Sequence, residues 1–365
     1  MSQMIRTSLD ALSDLLQSLG ISRPLYVCSR RWISRLPDGV PVFSHFDPNP
    51  DFDQCAAGVS MFQRKDCDGL VAIGGGSAMD TAKGIKAMLL SSSFSAALLG
   101  QYPGSHAYPL ICVPTTAGSG SEATQTAVLY VDGQKHSLSH PMLLAQGVIL
   151  DASLLSTLPA DMKRSCALDA LCQAIESFWS KASTSESRMI AGPAMQVILH
   201  WFRPYLRGDR QAAEQMLHAS YAAGEAIQLT RTTAAHAMSY QITKRLGIPH
   251  GDACALTLPY LWMRLTRDPA FIKPGSMLAS RMDVSFNDAP LLFLGLCLDT
   301  GLYPPGCTDP VLLDYLTDSV NIERLGNHPE ALTRDDIHDL YILALNPAPE
   351  ETAERALKLW RQYAE

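Results

Sequence analysis

The stretch Leu168 to Ser180, LDALCQAIESFWS, sets an acid at Asp169, an amide at Gln173 and a second acid at Glu176 inside a mostly apolar run. Asp169 and Gln173 are four residues apart, so a helix stacks them on one face within reach of a common ion. Two histidines follow downstream, His236 in TTAAHAMSYQ and His250 in GIPHGDACALTLP. One carboxylate and two imidazoles suit Zn2+ or Fe2+, and an amide oxygen adds a weak, neutral fourth donor. Spacing leaves two readings open. A histidine is more often a surface or hydrogen-bonded core residue than a ligand, and the acidic edge of such a helix can simply be solvated.

A second chemistry is written in LVAIGGGSAMDTAK, where Gly74, Gly75 and Gly76 stand between an apolar run and a helix opened by Ser77. Glycines let the backbone approach a phosphate, and the free N–H groups of a helix N-terminus supply donors and a favourable dipole. The stretch is neither GxGxxG nor a P-loop, since Lys83 precedes Gly84 and no GK[ST] follows the glycines. A tight turn without a ligand is an equal alternative at this point. The second loop, PTTAGSGSEAT from Pro114 to Thr124, offers Thr115, Thr116, Ser119 and Ser121 as partners for ribose, phosphate or carboxamide, with Gly118 and Gly120 leaving room for a flat ring. Small polar loops are commonly only loops. Two of them at the ends of neighbouring strands point to a ligand at the carboxyl edge of an open α/β sheet.

The elements that position these residues fall into two halves. Short β-like runs occur at Pro24–Ser29, Val40–Phe46, Gly69–Gly76, Pro109–Thr116, Ala127–Asp132 and Gly147–Asp151, with SAMDTAKGIKAMLL as a crossover helix. Continuous apolar runs of this length predict a mostly parallel, buried sheet. Beyond STLPADM the strand signals fade into amphipathic segments: 161–180, 187–206, 210–229, 232–246 and further helical stretches to the C-terminus. The boundary is expected near Pro159, as a first-turn residue of the opening helix. It separates an α/β dinucleotide-binding domain (1–158) of Rossmann-like type from an all-helical metal- and substrate-binding domain (159–365), with a cleft between them.

Composition narrows the class. With 365 residues, 47% hydrophobic and 18% charged, the chain has the profile of a globular protein of two domains. A net charge of −7 gives no general drive toward nucleic acid. The longest greasy run, PLLFLGLCL, is far short of the ~20 residues of a membrane helix. Nine cysteines without a CxxC pair indicate reduced, buried thiols and a cytoplasmic location. The first twenty residues alternate at helical spacing and lack an unbroken apolar core, so no secretory signal is expected.

In order and interval, GGGSAMDTAK, PTTAGSGSEAT, LDALCQAIESFWS and AAHAMSYQITKRLGIPHGDACALTLP resemble the motifs of the iron-containing (group III) alcohol dehydrogenases, whose fold is related to that of dehydroquinate synthase. The resemblance runs from about Leu25 to Pro259. It implies that Gly75, Gly76 and Ser77 hold a pyrophosphate, with Asp80 among the cofactor residues, and that Thr115, Thr116 and Ser119 line ribose and nicotinamide. Lys135 matches a family lysine near cofactor and substrate. Asp169, His236 and His250 match three metal positions, and Gln173 stands where many relatives have a fourth, histidine. Tyr240 stands one turn after His236, where some relatives have another histidine, and is a possible proton-relay member. The implied reaction is hydride transfer between a nicotinamide and an alcohol/aldehyde pair, with Fe2+ or Zn2+ as the ion and a homodimer as the common assembly.

Finer similarity points to a phosphonate-metabolism branch that reduces phosphonoacetaldehyde to 2-hydroxyethylphosphonate. A phosphonate dianion calls for cations near the metal, and Arg188, Arg231 and Lys244 are the expected substrate residues, each with a solvated surface position as its alternative. At the end of the first strand Ser29 is followed by Arg30 and Arg31 where an acid would hold the 2′-OH of NAD, which favours NADPH over NADH. The rival readings are a reductase of another small aldehyde or ketone, a dehydroquinate synthase-like lyase, and a nucleotide-binding scaffold with a decayed metal site.

Overall fold

The computed structural model describes residues 3–48, 50–103, 108–131, 134–320 and 322–364. The chain forms two compact units, Met1–Thr157 and Leu158–Glu365.

The first unit carries strands β1 (Met4–Arg6), β2 (Pro24–Cys28), β3 (Val42–Phe43), β4 (Gly69–Gly74), β5 (Leu110–Pro114), β6 (Thr126–Val131), β7 (Gln134–Ser139) and β8 (Gly147–Ile149). Its helices are α1 (Leu12–Ser18), α2 (Arg30–Ile33), α3 (Phe52–Arg64), α4 (Gly76–Leu90) and α5 (Phe94–Leu98). Six strands make one parallel sheet in the order β1-β8-β5-β4-β2-β3. Every residue of β4 and of β5 is buried, as expected of strands covered on both faces. The chain runs outward from β2 to β3 and then crosses back to β4, so the strand order reverses between β2 and β4. That reversal opens a crevice at the carboxyl ends of β2 and β4.

Three local expectations are corrected. The run Ala127–Asp132 does not join the parallel sheet; as β6 it pairs antiparallel with β7 in a separate hairpin, Tyr130 opposite Lys135. The run Val40–Phe46 yields only the two-residue β3. Met4–Arg6, inside the stretch with helical spacing, pairs with β8 as an edge strand. Three residues are too few for an alternation to show, so the partner strand makes this choice.

The second unit is helical: α6 (Ala160–Trp179), α7 (Ser185–Leu206), α8 (Arg210–Thr230), α9 (Ala234–Leu246) and α10 (His250–Leu265), then α11 (Ile272–Arg281), α12 (Ala289–Asp299), α13 (Pro310–Asp318), α14 (Ile322–Leu325), α15 (Arg334–Leu345) and α16 (Glu350–Tyr363). Pro159 is the cap residue before α6 rather than a first-turn residue. Helix α6 is buried along almost its whole length and packs against α7, α8 and α10. Gly251 allows the closest of these approaches: a Cβ there would lie 1.8 Å from the Ser165 carbonyl oxygen and 2.9 Å from Cβ of Asp169. All nine cysteines are free thiols. Among the described residues no helix is long and apolar enough to cross a membrane.

Candidate metal centre and nucleotide cradle

In the first unit the glycine loop leaves β4 and starts α4, with Gly75 as its cap residue and no side chain capping the helix. The first amides are thus left to an anion at the dipole's positive end. The loop lies directly on the one that follows β5. A Cβ on Gly75 would meet Thr116 Oγ1 at 3.3 Å, and one on Gly76 would meet Ser119 Oγ at 3.1 Å. Ser29 caps α2 at the end of β2, and Arg30 is exposed beside it. Ser29, the glycines, Thr116 and Ser119 therefore follow three adjacent strands at the crevice.

Helix α4 is tied to the second loop by buried charge. Asp80 Oδ1 accepts from Ser121 Oγ at 2.7 Å, and Oδ2 accepts from the Val128 amide at 3.2 Å. Lys83 Nζ donates to the Ser121 carbonyl at 2.6 Å, to Ser121 Oγ at 2.9 Å and to the Thr126 carbonyl at 2.8 Å. Burial raises the Asp80 carboxyl and lowers the Lys83 ammonium, each opposed by the other's charge. Lys135 on β7 adds its positive field at Asp80.

In the second unit four donor atoms, from Asp169 on α6, His236 on α9 and His250 and Cys254 on α10, all lie within 4.8 Å of one another. His236 Nε2 is 3.1 Å from Asp169 Oδ1, and Cys254 Sγ is 3.9 Å from His250 Nε2. Around a zinc-sized ion, tetrahedral N, O and S donors stand roughly 3.2–3.7 Å apart, so the set fits a divalent transition metal. Asp169, His236 and Cys254 are buried and His250 is half-buried.

The cluster has its own support. His236 turns Nδ1 to Glu176 Oε2. Glu176 Oε1 accepts from the amides of Thr233 and Ala235 at 3.2 and 2.9 Å and from the Thr233 hydroxyl at 2.6 Å. One carboxylate from α6 thus caps the start of α9 and fixes the imidazole so that Nε2 faces the centre, the usual way a carboxylate orients a metal-binding histidine. Ser239 Oγ stands 3.3 Å from His250 Nδ1 and fixes that ring in the same manner. Burial by itself would raise both carboxyls, yet the neighbouring histidines pull Asp169 and Glu176 below their ordinary range. Burial likewise works against the Cys254 thiolate, but His236 and His250 bring the thiol down to about 7.

The family model described as iron-containing alcohol dehydrogenase matches residues 4–152, and that described as Fe-containing alcohol dehydrogenase family, C-terminal, matches residues 164–284. The chain belongs to the iron-containing alcohol dehydrogenase family.

Similarity to individual proteins is moderate. The probable alcohol dehydrogenase EutG of Salmonella typhimurium is 36% identical over 213 residues, 57% of this chain and 53% of that protein, so the match spans about half the relative's length. Phosphonoacetaldehyde reductase of Streptomyces viridochromogenes is 34% identical over 248 residues, 63% of this chain and 62% of that one. The crystal structure of sulfoacetaldehyde reductase from Bifidobacterium kashiwanohense in complex with NAD+ superposes with a TM-score of 0.84 at 28% identity, covering 94% of this chain and 97% of the other.

Several of the expected residues have further partners or are buried. Gln173 is buried next to Asp169, and its amide donates a hydrogen bond that helps hold the Asp169 carboxyl low. Asp80 has both oxygens engaged within its own unit and supports the cradle. The Ser77 hydroxyl donates to the Pro48 carbonyl, which leaves the Ser77 backbone for an anion. Thr115 is fully buried under its loop, so Thr116 and Ser119 remain as the reachable hydroxyls. Burial pushes the Tyr240 phenol up, against the pull of Arg324 and His236, which makes it a poor acid.

The three expected substrate cations sit near helix ends. Arg188 Nε donates to Ser183 Oγ at 2.9 Å and ties the turn between α6 and α7. Arg231 is an exposed residue with φ 60° after α8, and Lys244 is exposed at the far end of α9 near Tyr315. Arg324 on α14 lies 6.0 Å from the Tyr240 ring centre, while Tyr240 stacks on His250 at 5.8 Å and 7°. Sequence offers no spacing that would find Arg324. For Cys254 one signal exists: it follows His250 by four residues, one turn on the same helix face.

Proposed function

We propose that the chain is a nicotinamide-dependent reductase of short aldehydes carrying an anionic group, with phosphonoacetaldehyde as reference substrate and 2-hydroxyethylphosphonate as product. The observation that carries this reading is the pair of contacts His250–Tyr240 and Tyr240–Arg324, which brings a permanent cation, also donating to Thr232 Oγ1, within two side chains of the half-buried histidine of the metal centre. Two relatives are named for phosphonoacetaldehyde and sulfoacetaldehyde, both two-carbon aldehydes with a tetrahedral oxyanion. The balance is aldehyde plus NAD(P)H plus a proton to alcohol plus NAD(P)+.

A divalent ion held by Asp169, His236 and His250 supplies Lewis acidity toward a carbonyl oxygen, and the nicotinamide supplies hydride. The chain's own contribution is placement. Glu176 and Ser239 hold the two imidazoles with Nε2 toward the centre. Arg324 anchors the anionic end by charge-assisted hydrogen bonds. Tyr240, with its proton held by a raised pKa, orients substrate as a donor and does not titrate. The final proton comes from solvent on the side of half-buried His250. In the first unit, Gly75, Gly76 and the Ser77 amide bind pyrophosphate, Thr116 and Ser119 contact ribose and nicotinamide, and Lys135 lies close by. Arg30 after Ser29 favours NADPH.

The deciding measurement is kcat/KM for phosphonoacetaldehyde, sulfoacetaldehyde and propionaldehyde with each nicotinamide. The anionic aldehydes should lead propionaldehyde clearly, and Arg324→Gln should cost about 10–100-fold on them while leaving propionaldehyde nearly unchanged. Equal turnover of the neutral aldehyde would overturn the anionic reading, and a strong NADH advantage would overturn the role given to Arg30.

A further inference from the structure

We infer that Cys254 is a ligand of the metal, making the donor set Asp169, His236, His250 and Cys254, with Gln173 outside it and with zinc-like ions preferred over iron. The inference rests on the metal-dependent reading above and assigns a residue which that reading does not use. Cys254 is fully buried, one turn after His250 on α10, with Sγ 3.9 Å from His250 Nε2 and inside the same 4.8 Å donor cluster.

The chemistry of the set supports the assignment. Gln173 stands a turn after Asp169, donates a hydrogen bond to it and has only a neutral amide oxygen to offer an ion, which does not match an imidazole as a donor. A thiolate does, and it changes the charge: Asp169 and Cys254 together neutralise a divalent ion, whereas one carboxylate and three imidazoles leave a buried net positive charge that is costly to desolvate. Thiolate is also the softer donor, which moves selectivity toward zinc and cobalt among divalent ions. Helix α10 carries two of the four ligands, and α6 meets it where Gly251 removes the side chain that would block the crossing.

The test uses the full chain loaded with Co2+. A cobalt–thiolate bond gives a near-ultraviolet sulfur-to-cobalt charge-transfer band that nitrogen and oxygen ligands do not give. The band is expected in the wild type, lost in Cys254→Ser, and unchanged in Cys166→Ser, which alters a half-exposed cysteine outside the cluster. Cys254→Asp, a charged donor that retains the metal, should bind cobalt stoichiometrically without the band, which guards against loss of signal through misfolding. Zinc affinity should fall at least 10-fold in Cys254→Ser, since even a residue that only supports a ligand is worth about that much. A wild-type cobalt protein without the band, or a band that survives Cys254→Ser, overturns the assignment. If cobalt binds at one equivalent and aldehyde reduction is restored without the band, only the Cys254 ligand fails. If no ion binds and no aldehyde is reduced, the metal-dependent reading fails with it.

Discussion

The two units solve the problem of holding a charged group in opposite ways. In the first, the candidate site is backbone: a run of glycines between β4 and α4, pressed against Thr116 and Ser119 so closely that a methyl group would crowd them. In the second, it is side chains from three helices, with donors up to 85 positions apart, Asp169 to Cys254. Buried acids divide the same way. Asp169 and Glu176 face histidines and are held ionised. Glu122, next to the cradle, has no hydrogen-bond partner for Oε1 among the described residues, and burial raises it to about 7 despite the pull of its own backbone and Lys83. A buried acid stays charged where partners are built around it, and protonates where they are not.

The sharpest break of this comparison is His250→Ala. It should remove the bound ion and lower kcat/KM by about 10³-fold, the several kcal/mol a Lewis acid supplies, with far-ultraviolet circular dichroism and nicotinamide binding intact. Normal turnover would remove the metal assignment. Next comes Gly76→Val: branched carbons in the space at Ser119 should weaken nicotinamide binding by about 10–100-fold through lost phosphate contacts without altering metal content. Unchanged nicotinamide affinity would show that the loop is only a turn.

The smallest effect concerns Glu122. Its folded pKa, about 7, lies above the ordinary carboxylate value of 4.5, so the folded state holds a proton that the unfolded chain releases. The stability it contributes is complete below about pH 4.5 and is lost as pH rises to about 7. Glu122→Gln should flatten this slope in unfolding titrations and raise the Tm at pH 7.5 by about 3 °C or more, with no gain at pH 4. A wild-type slope that persists in the variant would show that another group titrates.

Much of the fold was legible because it is written locally. Apolar runs marked β2, β4, β5 and β8, and helical periodicity placed α6 to α9 within about two residues of their ends. Edge strand β1 and the departure of β6 into a hairpin were not, since both depend on which strand pairs with which.

At the sites, residue type and four-residue spacing marked the glycine cradle and the acid-and-amide edge of α6, and family likeness added the two histidines. By itself the sequence also determined that Gln173 is an amide where an imidazole is common. The tertiary structure decided what that amide bonds to, which cation stands beside Tyr240, and which thiol lies in the donor cluster. Arg324 comes to Tyr240 from eighty-four positions away, and Cys254 meets Asp169 because α10 crosses α6 at Gly251. Spacing along a chain reports neighbours within one element; the packing of helices against one another decides the rest.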